Sequence, residues 1–294
     1  MSIYHVPVLL NGIIKFLEVK PGKRFIDATV GGGGHTEAIL KAGGLVLGID
    51  QDEEAINEVK RRLWNYIEKG QLIVKKGNFK NLEQITKEKN FTNVNGVLFD
   101  LGVSSHQLET PKRGFSFNSD APLDMRMDES LKITAADLVN GLNKGELYEL
   151  FTKLGEEHYA RPISQAIVRA RNIKPITRCN ELAAIILSVR RKGRLDRTHP
   201  ATRVFQALRI AVNDELNALR VVLIEAIGVT ARGGRIAVIS FHSLEDRIVK
   251  NFFRTGEKER KLKLLTDKPI IPGDKEIEAN PKSRSAKLRI AEKI

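Results

Sequence analysis

Three short apolar runs in the first hundred residues each end in an aspartate: Arg24-Phe-Ile-Asp27, Leu45-Val-Leu-Gly-Ile-Asp50 and Gly96-Val-Leu-Phe-Asp100. A further run, Gln71-Leu-Ile-Val-Lys75, lies between the second and third of these. Runs of this length suit strands buried on both faces. The segments between them have helical spacing: about Thr36 to Ala42, Glu53 to Glu68 and Leu82 to Lys89. In Glu53 to Glu68, the residues Ala55, Ile56, Val59, Leu63 and Ile67 fall on one side. Strands separated by helices need crossover connections and therefore predict a parallel sheet, an α/β fold of Rossmann-like type. Ligands of open α/β sheets sit outside the carboxyl ends of the strands, where these three acids stand.

The rhythm stops after about Gln107. Up to His199 the pattern is helical, with segments at Ala135 to Asn140, Lys144 to Thr152, Tyr159 to Arg171 and Asn180 to Arg191. The stretches Arg113 to Asn118 and Pro122 to Asp128 read as ordered loops; in the second, Asp124, Arg126 and Asp128 either form a salt-bridge network or line the cleft. The alternation then resumes. Ala201 to Ile227 carries a long helical pattern, Gly233-Gly234 punctuates it, and Arg235-Ile-Ala-Val-Ile-Ser240 reads as a fifth strand before a helix from Ser243 to Phe253. The expected organisation is an α/β domain, 1–108 with 200–294, interrupted by a mainly helical second domain, 109–199.

The first strand runs into Asp27-Ala-Thr-Val-Gly31-Gly-Gly-Gly-His35. A glycine-rich turn between strand and helix lets backbone approach a ligand closely. The dinucleotide fingerprint also needs a small residue three places after its second glycine. Here those places hold Thr36 and Glu37. This argues against an NAD-dependent oxidoreductase. A ligand with a ribose diol, an amino acid tail and a sulfonium charge needs no phosphate cradle, and S-adenosyl-L-methionine is such a ligand. Asp27 can hold the loop or face a cationic tail. Asp50 can accept both ribose hydroxyls, and Asp100 stands where the sulfonium should lie. His35 either lines the pocket or caps the helix.

Charge bears on the partner. The net charge is +13, and between Arg161 and Arg220 thirteen Lys/Arg face four Asp/Glu. That excess points to a polyanion, and the inserted domain is expected to recognise RNA. Candidate phosphate contacts are Arg190, Arg191, Lys192 and Arg194 with Arg197, and in the tail Lys282, Arg284, Lys287 and Arg289. No apolar run reaches the length of a membrane span, no secretion signal is visible, and the lone Cys179 suits a reducing, cytoplasmic setting. No His/Cys cluster has metal-ligand spacing.

These residues together resemble one family, the 16S ribosomal RNA (cytosine-N4)-methyltransferases (RsmH, also called MraW). The resemblance runs from His5-Val-Pro-Val-Leu-Leu10 through Gly31–His35, Asp100-Leu-Gly-Val-Ser-Ser-His-Gln107, Arg113-Gly-Phe-Ser-Phe117 and Pro122–Asp128. It continues through His199–Arg209, Ser240-Phe-His-Ser-Leu-Glu-Asp246 and Asn280–Arg289. It implies a class I methyltransferase sheet and a cofactor site at Gly33, Gly34, His35, Asp50, Phe79, Asp100 and Gln107, with Phe79 flanking the adenine. It also implies the acceptor: the exocyclic N4 of a cytidine in the decoding region of 16S rRNA, within the small ribosomal subunit.

The expected reaction is direct in-line displacement of the methyl group. The lone pair of N4 is conjugated with the ring, so an acceptor aimed at its hydrogens would assist attack. Candidates are Asp100, nearby backbone carbonyls, and Ser104 or Ser105. A carbon-5 methyltransferase would need a cysteine nucleophile, whereas Cys179 falls in the helical region and reads as packed. The pair Ser243 and Asp246 resembles a cap, and His242 before it suits a local structural role, with catalysis the alternative. A non-catalytic RNA-binding or ribosome-assembly factor would explain the charge but has no need of three strand-end acids.

Overall fold

The computed structural model describes residues 7–117, 120–190, 193 and 198–294. Seven strands form one sheet: β1 (Arg24–Asp27), β2 (Leu45–Asp50), β3 (Leu72–Lys76), β4 (Val94–Asp100), β5 (Thr230–Ser240), β6 (Leu262–Leu264) and β7 (Lys287–Lys293). Their order is β3-β2-β1-β4-β5-β7-β6. The first five are parallel, β7 runs antiparallel to β5, and β6 antiparallel to β7.

The helices are α1 (Leu10–Phe16), α2 (Gly34–Lys41), α3 (Glu53–Arg62), α4 (Trp64–Glu68) and α5 (Leu82–Glu88) in the first stretch. Then come α6 (Ser105–Glu109), α7 (Ala135–Gly141), α8 (Lys144–Gly155), α9 (Ala160–Arg171), α10 (Cys179–Val189) and α11 (Thr202–Asn213). The last three are α12 (Glu215–Val229), α13 (Ser243–Lys258) and α14 (Asp274–Ala279).

The chain divides into two compact units, Met1–Ser104 with Leu216–Ile294, and Ser105–Glu215. The first holds the sheet. Side chains alternate across a strand, and here the alternation feeds two cores. Ile26, Leu47, Val97, Phe99, Ile236 and Val238 pack on one face, under α5, α12 and α13. Phe25, Val46, Leu98, Ala237, Ile239 and Leu288 pack on the other, under α1, α2 and α3. The second unit is helical, with no strand among its described residues.

Several boundaries differ from expectation. The second unit extends to Glu215 rather than 199, because α11 packs on α8 and α7. The helical pattern from Ala201 to Ile227 is two helices, broken at Asp214, whose φ is 51°. The pattern from Glu53 to Glu68 likewise breaks at Leu63. Gly233-Gly234 does not precede β5 but lies inside it. A Cβ on Gly234 would stand 2.9 Å from the Val94 carbonyl oxygen, so the backbones of β4 and β5 meet there. The tail is the largest correction: Lys287 and Arg289 belong to β7, a strand the sequence pattern does not suggest. Arg289 is 8% exposed and its guanidinium is bound to Asp246 at 2.7 Å, so it is not a phosphate contact.

Candidate active site

β1 pairs with β2 on one side and β4 on the other, so the connections leave in opposite directions at its carboxyl end. Such a switch point opens a crevice above the sheet. Asp27, Asp50 and Asp100 end the three strands around it.

The glycine turn stays joined to both neighbours: the Ala28 amide donates to the Leu98 carbonyl and the Val30 amide to that of Ile49. Gly31 and Gly33 have φ of 48° and 80°, a region where side chains are strained. A Cβ on Gly33 would meet Val59 at 3.1 Å, and one on Gly34 would meet the Pro7 ring at 3.1 Å. Both missing side chains would point into protein, so what these glycines present to the crevice is backbone. Arg62 fastens the turn from behind, donating to the Gly32 carbonyl and to Glu37.

The acids do different work. Asp27 is 1% exposed and is committed to the loop, accepting the Thr36 hydroxyl at 2.7 Å and the Thr29 amide at 3.3 Å. Burial pushes its pKa up to about 6, with those hydrogen bonds pulling the other way. Thr36, which spoils the dinucleotide fingerprint, is thus the partner that fixes this acid. Asp50 accepts the Gly31 amide on one oxygen at 2.8 Å and the Asp52 amide on the other at 2.9 Å. Burial raises it to about 6 as well. Its two oxygens are held side by side, and each keeps lone-pair capacity for a diol.

Asp100 is placed by its own amide, which donates to the Thr29 hydroxyl oxygen at 2.6 Å. Burial, then the negative charges of Asp27 and Glu245, hold its carboxyl well above the usual range. The His35 Nδ1 lies 3.6 Å from its Oδ2. The other ring nitrogen of His35, Nε2, is 2.9 Å from the Val8 carbonyl. A carbonyl only accepts, so Nε2 carries the hydrogen, and in the neutral ring the Nδ1 lone pair faces Asp100. Burial pushes His35 down to about 4, which keeps it neutral. His35 therefore stands between Asp100 and the Val8 carbonyl, and α2 has no side-chain cap. Val8, Thr29 and Arg62 are not singled out by sequence, and Thr36 stands out there only as a departure from the dinucleotide fingerprint. The signal for Val8 is present in the segment from His5 to Leu10, which carries the resemblance.

Phe79 follows β3 in a short turn and meets Phe99 edge to face, with centroids 6.1 Å apart. Asn78 holds that turn, its amide donating to Gln51 at 2.7 Å. Ser104 is the last residue of the sheet unit. Ser105 and the buried Gln107 lie on α6 in the other unit. His242, not Ser243, caps α13: its Nδ1 accepts the Glu245 amide while Glu245 binds back to the amides of Phe241 and His242. Asp246 instead pairs with Arg289 and Lys287.

Of the basic patch, Arg190 binds the fully buried Glu157 at 3.0 Å and lies over the Tyr159 ring, a structural pairing. Arg191, Lys192, Arg194 and Arg197 lie outside the described residues. Arg284 is exposed, in the short helical turn Pro281–Ser285. Asp124 and Arg126 form the bidentate pair expected of their loop. Cys179 is buried, its thiol is pushed up to about 12, and it donates to the Gly114 carbonyl at 3.3 Å. Among the described residues no group of His, Cys, Asp and Glu is arranged to hold a metal, and no helix is long and apolar enough to cross a membrane.

The donor set at the strand ends consists of carboxylates and backbone amides, with the nearby Arg62 turned to Gly32 and Glu37. A pyrophosphate would meet like charge here. A nucleoside with a vicinal diol and a positive charge would meet Asp50 and Asp100, and that is the composition of S-adenosylmethionine. A doubly wound sheet with such a switch point is the architecture of α/β enzymes that bind their ligands at the strand ends.

Within that class, the chain belongs to the MraW methylase family, whose model matches residues 2–294. It is therefore a methyltransferase. Two relatives carry the name Ribosomal RNA small subunit methyltransferase H. That of Carboxydothermus hydrogenoformans is 49% identical over 311 residues, spanning 100% of this chain and 99% of the relative. That of Halothermothrix orenii is 46% identical over 313 residues, spanning 99% and 98%. Among solved structures, an rRNA methylase from Streptococcus thermophilus aligns over 98% of each chain with a TM-score of 0.47 at 12% identity, which supports no functional argument.

Proposed function

We propose that this protein transfers a methyl group from S-adenosylmethionine to the exocyclic N4 of a cytidine in the decoding region of 16S rRNA, acting on the small ribosomal subunit in the cytoplasm. The observation that carries the reading is Asp100: a largely covered carboxyl group at the end of β4, whose Oδ2 stands 3.6 Å from the Nδ1 of His35. The relatives named for small-subunit rRNA support the substrate, and the resemblance of the motif series supports the atom.

The residues of the sheet unit that would hold the cofactor are Asp50 at the ribose, the backbone of Gly33 and Gly34, His35, Phe79 beside the adenine, and Asp100; Gln107 is added by the family resemblance alone. The cofactor supplies an electrophilic methyl group on a cationic sulfur. Asp100 accepts a hydrogen bond from the target amine, which frees its lone pair from conjugation, and takes up the proton that the nitrogen loses as it is methylated. Ser104 and Ser105, which follow on the same chain segment, are the next candidates for this role. Asp27 fixes the loop. The unit Ser105–Glu215 recognises RNA.

Incubating the protein with labelled S-adenosylmethionine and unmodified small ribosomal subunits, then mapping the modified base, tests the reading. N4-methylation of one decoding-region cytidine is the expected result. Label on a ring carbon or on another RNA, or none at all, would overturn it.

A further inference from the structure

The turn Ser240-Phe-His-Ser-Leu-Glu-Asp246 lies at the same end of the sheet as Asp100. β4 and β5 run in parallel with Asp100 beside Ile239, and the Leu101 amide donates to the Ile239 carbonyl. A Cβ on Gly102 would lie 3.7 Å from the Phe241 ring. Glu245 is close enough for its charge to raise Asp100. So His242 follows β5 three residues beyond Ile239, the register partner of the acid assigned to the target amine.

Its position as a cap is unusual. Asn, Asp and Ser are the preferred residues there because a short oxygen reaches the free amides. A histidine fills this place with a ring whose side chain is only 9% exposed. The ring is also oriented. Nδ1 accepts the Glu245 amide at 3.3 Å, so in the neutral ring the hydrogen is on Nε2. That nitrogen is buried and stands 3.2 Å from the Glu245 Oε1 without making a hydrogen bond. Glu245 is itself 2% exposed and pinned by two backbone amides. A buried donor left without a hydrogen bond is costly, and such costs gather at functional sites. Capping alone accounts for Nδ1 and leaves Nε2 unexplained.

Resting on the reading of a cytosine amine as acceptor, we propose that His242 is the residue that reads the target base, donating from Nε2 to a ring acceptor while Asp100 accepts from the exocyclic amine. The Watson–Crick edge of cytosine presents a donor at N4 and acceptors at N3 and O2. An acceptor and a donor on adjacent strand ends complement that edge. Uracil presents an acceptor at position 4 and a donor at N3, so it would set acceptor against acceptor and donor against donor. Glu245 is then a positioning residue, holding the imidazole rather than touching the base. Enzymes acting on a flipped base commonly read its Watson–Crick edge in this way.

Two variants separate reading from capping. Asparagine can replace Nδ1 as the cap but does not reach the place of Nε2, whereas glutamine carries its amide there and is the poorer cap. His242→Asn should melt near the parent and bind S-adenosylmethionine as the parent does. Its kcat/KM for methylation of small subunits should fall roughly 10- to 100-fold, the loss of one buried hydrogen bond. His242→Gln should melt lower yet keep more transfer per cofactor-binding molecule. The reverse order, with His242→Asn active and His242→Gln impaired, makes His242 a cap only and overturns the proposal. If His242→Asn also loses cofactor binding, His242→Gln decides: transfer retained supports the proposal, and transfer lost with cofactor binding intact ends it. A parent protein that methylates no cytosine in the subunit removes the reading beneath the proposal, a failure visible before any variant is made.

Discussion

Asp27, Asp50 and Asp100 end neighbouring strands, but their surroundings make them unequal. Asp27 turns both oxygens to protein, so its charge is a burden that serves the loop only through hydrogen bonds. Its pKa is raised from 3.8 to about 6. A raised carboxyl pKa means that the folded state holds the proton longer than the unfolded state. Stability therefore falls as pH rises from about 4 to 6, by roughly 3 kcal/mol at most, and stays lower above that window. Asp27→Asn removes the charge and keeps an acceptor for Thr36. It should raise the melting temperature at pH 8, and the advantage should shrink at pH 5; equal gains at both pH values would refute the burial argument. Asp100→Asn keeps the shape at β4, and the protein should fold. Methyl transfer should drop roughly 100-fold or more, the scale of losing a positioned proton acceptor; near-parent turnover would take Asp100 out of the chemistry. The acids are legible in sequence because each closes an apolar run at a regular interval. Thr29 and Val8 are not, since they act across 71 and 27 residues and follow no period. Phe79 comes only through the family resemblance, because an aromatic after a strand reads equally well as core.

Elements are legible where burial imposes a period. β1, β2, β4 and the second half of β5 are apolar on both faces, and their positions in sequence show it. β7 reads Lys-Leu-Arg-Ile-Ala-Glu-Lys, and its charged positions suggest a phosphate-binding tail; only pairing with β5 and the Asp246 partner reveal Arg289 as interior. Helix ends are less legible, because a left-handed residue stops a helix without interrupting its apolar pattern, as Asp214 and Glu156 do. The end of α8 makes this testable at two adjacent positions. A Cβ on Gly155 would sit 2.6 Å from the Arg203 carbonyl oxygen, where α8 meets α11. Gly155→Ala should cost about 1–3 kcal/mol by overpacking against backbone that cannot yield. Glu156 has φ of 48°, where a Cβ is strained. Glu156→Gly should gain up to about 1 kcal/mol. Urea melts of the two variants should move in opposite directions; a shift of the same sign in both would mean that the packing at this helix end is not as described.

At the scale of the molecule, the charge is large but much of it is already used. The net charge of +13 counts Arg190, Arg289 and Arg62 equally with the arginines that face water. Arg190 neutralises buried Glu157, Arg289 neutralises Asp246, and Arg62 holds the glycine turn. A basic run in sequence does not distinguish these from phosphate-binding residues, which is why the sequence alone groups Arg190 with the patch. Arg161 and Arg169 differ: they lie eight residues apart on α9 and are exposed, as is Arg284 on the sheet unit. Each neutralised phosphate releases counterion, so the slope of log K against log salt measures how many phosphates the protein binds. Replacing Arg161, Arg169 and Arg284 with Gln should weaken RNA binding and flatten that slope by about 0.7 for each phosphate of single-stranded RNA that is no longer neutralised. Arg190→Ala should leave the slope unchanged and cost about 1–3 kcal/mol of stability, because it strands a buried carboxylate. Binding titrations at several salt concentrations, with melts of the same proteins, separate the two outcomes. If the triple variant keeps the parent slope while Arg190→Ala lowers it, the assignment of these arginines is inverted, and the phosphate-binding surface lies around Arg190 after all.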